Sequence, residues 1–270
     1  MTHPHSSAHP DPITVVAIPA FADNYIWLIE DRQSQQHWLV DPGIAKPVID
    51  YFQANGITAL AGILVTHHHN DHIGGIDDLK AHFPDTLVYG LKSARVPQVT
   101  HTVEGGQQLH LSSNLILSVL SVPGHTIDHI VYFLPAEQPR LFSGDTLFAG
   151  GCGRLFEGSP AQMRASLDQL RRLADHTLVY CAHEYTASNL QFALAVEPGN
   201  ASLKHRIDDV TELREKGKPT VPSQLTTERQ TNPFLRWDEP SVIAAAQAQG
   251  AEDNSPDTVF TAIRAWKDKF

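Results

Sequence analysis

Cysteine is scarce in this chain. Two occur in 270 residues, Cys152 and Cys181, and neither has a partner at CxxC spacing. That excludes a disulfide scaffold and a dithiol redox motif, and the expectation is two small buried hydrophobes in a reduced, cytoplasmic setting. Long apolar runs are missing too. No stretch approaches the roughly 20 residues needed to span a bilayer, so no membrane partner is expected. The first twelve residues, Met1–Pro12, are rich in His (His3, His5, His9), Pro and Ser and have no apolar core. They fit neither a secretory leader nor an Arg-rich transit peptide, and read as a disordered tail. Positive charge is in deficit: 20 Lys and Arg against 30 Asp and Glu give a net charge of −10. This argues against a nucleic-acid partner, which needs a basic face. An anionic substrate would have to be met by a local cluster of cations or by metal ions. No nucleophile-elbow motif is found either, so an activated serine is not expected to carry chemistry.

Hydrophobic residues make up 41% and charged residues 19%, the balance of a globular protein. The most informative segment is Thr66–His72, Thr-His-His-His-Asn-Asp-His, which follows the apolar run Leu60–Val65 and precedes Gly74-Gly75. Imidazoles crowded at a strand end repel when protonated and compete for partners when neutral. A divalent metal removes the conflict, because imidazole nitrogen and carboxylate oxygen are its usual ligands. Alternation along an extended loop puts His67 and His69 on one side and turns His68 away. Three later segments each put a His or Asp after a strand: Pro123-Gly124-His125-Thr126, Ser143-Gly144-Asp145-Thr146 and Ala182-His183-Glu184. Each is weak alone. Together the set suffices for two metals if Asp145 bridges, one site using His67, His69 and His125 and the other Asp71, His72 and His183.

The chain up to about Glu184 reads as alternating strands and helices. Strands are expected at 13–18, 25–30, 37–40, 60–65, 87–89, 107–111, 115–121, 129–134, 140–143 and 177–180, and helices at 45–55, 75–83 and 160–174. Beyond Glu184 the strand signals stop. Helices are expected at 186–196, 202–216, 240–249 and 256–269, with the Pro-containing stretch 219–233 running irregularly over the surface. This divides the chain into the tail 1–12, a metal-binding catalytic domain 13–184 and a helical substrate-binding domain 185–270.

The order His67, His69, Asp71, His72, His125, Asp145, His183 resembles the metallo-β-lactamase superfamily. The resemblance implies an α/β fold, the αββα sandwich of two mixed sheets between helices, here followed by a small all-helical domain. That metal motif specifies the fold and leaves the reaction open. Gly151-Cys152-Gly153-Arg154-Leu155-Phe156-Glu157-Gly158, His183-Glu184-Tyr185-Thr186, Asp23-Asn24-Tyr25, Asn232-Pro233-Phe234-Leu235-Arg236 and Arg264-Ala265-Trp266-Lys267-Asp268 resemble the glyoxalase II (hydroxyacylglutathione hydrolase) family almost end to end. The resemblance implies hydrolysis of S-(2-hydroxyacyl)glutathione thioesters. S-D-lactoylglutathione would give glutathione and D-lactate, the second step of methylglyoxal detoxification. It further implies a monomer with two divalent metals, zinc with iron or manganese as alternatives. Asp71 and Asp145 would serve the metals and the attacking hydroxide. Arg154, Phe156, Tyr185, Arg264 and Lys267 would hold the glutathione moiety, which three cations among these five suit. Without the resemblance, Arg264 and Lys267 read equally as a solvated helix face, Arg154 as a partner of Glu157, and Tyr185 as core. Phe156 stands where eukaryotic members have Tyr, and Asp128 where many carry Gly. His129 and Asp41 are candidates to support ligands, Asp41 equally a turn former. The competing readings are another hydrolase of the same fold, a mononuclear-iron glutathione persulfide dioxygenase, and a metal-storage module.

Overall fold

The computed structural model describes residues 11–270; His3, His5 and His9 lie outside the described residues. Asp11 and Pro12, counted with the tail from sequence, are anchored. The Asp11 carboxylate meets Arg140 at 2.5 Å, and the Pro12 carbonyl accepts from the Arg32 N–H at 2.9 Å.

Two sheets face each other. The first runs in the order β1 (Ile13–Ala20), β2 (Asn24–Asp31), β3 (Gln36–Val40), β4 (Gly62–Leu64), β5 (Leu87–Gly90), β6 (His101–Thr102). It is antiparallel through β3 and parallel thereafter. The first two parallel steps are made by α1 (Lys46–Ala54) and by the short α2 (Asn70–Ile73) with α3 (Ile76–His82), and the third, β5 to β6, by a loop. The second sheet contains β7 (Gln108–His110), β8 (Ile116–Ser121), β9 (Ile130–Leu134) and β10 (Arg140–Gly144). It is completed by β13 (Leu178–Cys181) and β14 (Ser223–Gln224), while β11 (Leu147–Phe148) and β12 (Gly151–Cys152) form a separate hairpin. After α4 (Pro160–Arg171) and β13 come α5 (Thr186–Val196), α6 (Ala201–Glu215), α7 (Leu225–Thr231), a 3₁₀ turn at Pro233–Leu235, α8 (Pro240–Ala248) and α9 (Pro256–Lys267). No helix among the described residues is long and apolar enough to cross a membrane.

Strand alternation builds the layers. On β2, Tyr25, Trp27 and Ile29 face the second sheet, while Ile26 and Leu28 face Val48 and Phe52 of α1. On β9, Ile130 and Tyr132 point inward, whereas Val131 joins Met163, Leu167 and Leu170 of α4. Phe192, Val242, Phe260 and Ile263 of the C-terminal helices belong to that same outer core, while Leu190, Ala193, Leu203 and Val210 form a small cluster of their own between α5 and α6. α4 begins on a capping box: Ser159 accepts from the Gln162 N–H, and the Gln162 side chain accepts from the Ser159 N–H.

The stretch 219–233 departs from expectation. It contributes the edge strand β14 and helix α7, and Leu225, Glu228, Thr231 and Asn232 are fully buried. Its polarity is consumed internally. Glu228 accepts from the Gly150 N–H at 2.8 Å and from Asn232 Nδ2 at 3.2 Å, and it pairs with the buried Arg206. Asn232 Nδ2 also donates to the Gly151 carbonyl at 3.0 Å. The segment is a polar bolt that holds the β11–β12 hairpin against the helices. Glu228→Ala leaves Arg206 buried without its partner and should lower unfolding free energy by about 3 kcal/mol, readable by urea denaturation.

Candidate metal centre and substrate wall

The donor residues all leave C-terminal strand ends. β4 runs into the extended segment that carries His67 and His69, and α2 then supplies Asp71 and His72. His125 follows β8, Asp145 follows β10 and His183 follows β13. Two glycines permit the convergence: a Cβ on Gly153 would lie 1.9 Å from the Asp145 carbonyl oxygen, and one on Gly43 would lie 1.9 Å from that of Asp71.

Proton positions can be read from the outer partners. Asp41, held at a left-handed φ of 52°, accepts from the Thr66 N–H at 2.8 Å, the Thr66 hydroxyl at 2.7 Å and His72 Nδ1 at 3.0 Å. The Thr66 hydroxyl proton is thereby used, so its oxygen accepts from His67 Nδ1 at 3.0 Å. The Arg154 carbonyl accepts from His125 Nδ1 at 2.7 Å, and Asp23 from His183 Nδ1 at 3.0 Å. Each of these four imidazoles therefore turns its Nε2 inward, the nitrogen that is bare when the ring is neutral.

Around His69 the inward atoms have too few protons between them. His67 Nε2 and His125 Nε2 both lie 3.0 Å from His69 Nδ1, which carries at most one. Asp145 Oδ2 is 3.4 Å from His125 Nε2, and its Oδ1 faces His72 Nε2 at 3.4 Å and His183 Nε2 at 3.5 Å. Asp71 Oδ2 lies 3.5 Å from His72 Nε2 and 3.4 Å from His183 Nε2. The fully buried His72 Nε2 and Asp145 Oδ1 have no hydrogen-bond partner among the described residues. Lone pairs directed at shared points, with the oxygens of one carboxylate turned to two groups of nitrogens, fit divalent cations. His67, His69 and His125 form one cluster of ligand atoms, and Asp71, His72 and His183 another. A third grouping of Asp41, His67 and His72 is also close enough, but the Asp41 oxygens are already engaged.

Titration behaviour separates the two groups. Burial, followed by neighbouring imidazoles, holds His67 well below the ordinary imidazole pKa, and burial also lowers His69 and His125. These three are neutral donors at pH 7. Burial opposes charge on His72 and His183 as well, but carboxylates outweigh it. Asp145 and Asp41 push His72 well up, and Asp145 and Asp71 push His183 to about 10. Burial disfavours ionised Asp145, yet His72 and His183 pull its pKa well down.

Of the residues expected to hold substrate, Phe156 and Tyr185 touch this cluster. Phe156, 62% exposed, stands edge-on to His69 and His125 at 5.4 and 5.3 Å. Tyr185 is not core: it stacks on His183 at 4.6 Å and 8° and is 36% exposed. Burial, then Asp23, pushes its phenol up to about 12, so the hydroxyl remains a donor. Arg264 is buried, not on a solvated face; it donates to the Cys152 carbonyl at 3.2 Å and to Asp268 at 2.8 Å. Arg154 approaches the same Asp268 oxygen at 3.7 Å, while Glu157 pairs with Arg95. The Lys267 ammonium lies over Phe192 and Phe270 at 5.2 and 5.6 Å. His68 turns outward to Asp128 at 3.3 Å.

Comparison with known proteins agrees with this layout. Residues 21–183 match the metallo-beta-lactamase superfamily model and residues 184–270 the hydroxyacylglutathione hydrolase C-terminus model. A hydroxyacylglutathione hydrolase of Pseudomonas aeruginosa strain LESB58 is 50% identical over 259 residues, 96% of this chain and 100% of the relative. One from Vibrio parahaemolyticus is 49% identical over 258 residues, with the same coverage of 96% and 100%. The chain belongs to the hydroxyacylglutathione hydrolase family. Among solved structures, a metallo-beta-lactamase from Staphylococcus aureus aligns over 95% of this chain and 72% of its own, at 21% identity and a TM-score of 0.63. TTHA1623 in a di-iron-bound form aligns over 63% and 91%, at 28% identity and 0.51.

Two supports went unassigned in the sequence although the family segment Asp23-Asn24-Tyr25 was visible. Asp23 orients His183, and Asn24 Nδ2 donates to Asp71 Oδ2 at 3.1 Å. Their signal was position at the turn-to-strand junction, Asp23 in the turn and Asn24 opening β2, which carries no chemistry until β2 is paired. In this member of the hydroxyacylglutathione hydrolase family, a cation entering the Asp71–His72–His183 group must displace a proton from His183. Below pH 10 that proton competes, so affinity for zinc should rise with pH up to about 10. Calorimetry in buffers of differing ionisation enthalpy should register proton release.

Proposed function

We propose that the chain hydrolyses S-(2-hydroxyacyl)glutathione thioesters, S-D-lactoylglutathione to glutathione and D-lactate, using two divalent metal ions held by the seven donors described. The observation that carries the reading is Asp145, whose oxygens face separate groups of imidazole nitrogens. His67, His69 and His125 would hold one ion, Asp71, His72 and His183 the other, and Asp145 both. When bound, such a pair supplies a water acidic enough to ionise near neutral pH and polarises a carbonyl.

The chain's own residues do the rest. The imidazoles of His183 and His72, 3.4 and 3.5 Å from Asp71 Oδ2, keep Asp71 ionised against its partial burial, ready to orient an attacking water. Phe156 covers His69 and His125 and excludes solvent from that side. Tyr185 presents a protonated hydroxyl beside His183. Arg154 and Lys267 offer positive charge to the glutathione carboxylates, and buried Arg264 fixes the Cys152–Arg154 segment from behind. The leaving thiol has a pKa near ~8.5 and departs as thiolate without a strong general acid. Zinc, iron and manganese all suit mixed His and carboxylate donors. The division of labour falls near residue 184, with the metals before it and most of the cations after it. A cytoplasmic monomer completes the reading, the first part supported by two free, buried cysteines.

Metal analysis should return about two ions per chain; a single iron would favour the dioxygenase. S-D-lactoylglutathione should be cleaved where a lactam and a phosphodiester are not, and cleavage of either of those with the thioester untouched would overturn the assignment. Asp145→Ala should lose metal and turnover together. Lys267→Ala should raise KM about 10-fold with kcat little changed, the loss of one partly desolvated charge contact; an unmoved KM removes Lys267 from the site.

A further inference from the structure

A cluster beside the metal centre takes no part in holding ions. Arg95 sits on a turn outside both sheets, anchored by buried Val96. Its guanidinium reaches Asp128 Oδ2 at 2.8 Å, His68 Nε2 at 3.1 Å, and Glu157. The second Glu157 oxygen accepts from the Ile127 N–H at 2.9 Å, and His68 Nδ1 lies 3.3 Å from Asp128 Oδ1. Every partner is next to a residue of the centre. His68 separates His67 from His69. Asp128 precedes His129, which stacks on His67 at 4.7 Å and whose Nε2 accepts from the Asp145 N–H at 3.2 Å. Glu157 follows Phe156, the wall over His69 and His125.

We propose that Arg95 is a positioning residue: one planar cation that locks the three loops around the first metal group and neutralises two carboxylates at the mouth. Three separate segments converge on one fork of donors, a geometry that guanidinium satisfies and a point-like ammonium does not. The charge arrangement has a direction. Asp128 and Glu157 are 23% and 27% exposed at the side chain, close enough to solvent to repel an arriving anion once uncovered. Arg95 is itself 46% exposed at the side chain, so its truncation removes the clamp without opening the core.

The kinetic side of the inference rests on the glutathione-thioester reading; the structural side does not. In the metal-loaded protein, Arg95→Ala should raise KM for S-D-lactoylglutathione about 3- to 10-fold, with kcat within about 2-fold, and the rise should shrink as salt screens the exposed carboxylates. The double variant Arg95→Ala/Asp128→Asn should bring KM back to within about 2-fold of the parent. Hydrogen exchange, needing no substrate, should quicken about 10-fold at 127–128 and 154–158 in Arg95→Ala, while α9 is unchanged. Unchanged exchange in both loops overturns the clamp whether or not the thioester is turned over. Faster exchange with an unmoved KM, or no recovery in the double variant, overturns the electrostatic role. A parent that cleaves no thioester counts against the glutathione reading and leaves the exchange result to decide the clamp.

Discussion

Four imidazoles are fixed by their outer partners so that each turns its Nε2 inward, three of them to within 3.5 Å of the Asp145 carboxylate, and the rest of the molecule is arranged around that convergence. Thr66, the Arg154 carbonyl, Asp41 and Asp23 each take the Nδ1 proton of one histidine. Asp145 closes the arrangement from the far sheet. Without cations, the second group can be balanced only by protons, as the raised His72 and His183 and the depressed Asp145 show. The first group cannot be balanced even so, because burial keeps His67, His69 and His125 neutral. That asymmetry assigns different proton costs to the two halves of one site. A cation entering the first meets free lone pairs; one entering the second must expel protons.

The fold meets this demand through sheet ends. Loops from β4, β8, β10 and β13 come from both sheets, and their close packing needs glycine where Gly43 and Gly153 meet the carbonyls of Asp71 and Asp145. The helical part then acts on the centre from a distance. Asn232 and Glu228 hold the β11–β12 hairpin, and Arg264 holds the carbonyl of Cys152. Since Gly153 and Arg154 follow directly, the Arg154 carbonyl that sets the His125 tautomer is anchored by a helix more than a hundred residues downstream. Under the proposed function, substrate recognition and ligand geometry would thus be mechanically joined at one short segment.

Much of this was legible in the sequence, because metal donors are rare residue types at forced spacings. The run Thr66–His72 announced itself by crowding, and the turning away of His68 followed from alternation. The buried polar bolt at 219–233 was not legible. Its Pro, Thr, Glu and Asn residues have the composition of an exposed loop, and only tertiary partners from Arg206 and the β11–β12 hairpin convert that polarity into core. Spacing alone was equally uninformative for Arg264: a cation three positions before Lys267 can read as a solvated face until the Cys152 carbonyl and Asp268 are placed against it. Asp128 could not be decided from sequence because its partner, Arg95, lies 33 positions away on a turn with no regular structure.

These misreadings share a cause. Apolar periodicity and ligand spacing are local, whereas a buried charge is explained only by what neutralises it. In this chain the neutralising partners are distant: Arg206 for Glu228, Arg95 for Asp128, Asp23 for His183. The net charge of −10 sharpens the point. An acidic protein that receives an anion cannot rely on its overall field, so each carboxylate near the mouth must be cancelled individually. Asp268 lies between Arg154 and Arg264, and Asp128 and Glu157 share Arg95. Toward solvent, Phe156 presents an apolar face and Arg154 an exposed cation, and under the proposed reading these and Lys267 form the profile that a glutathione thioester would meet.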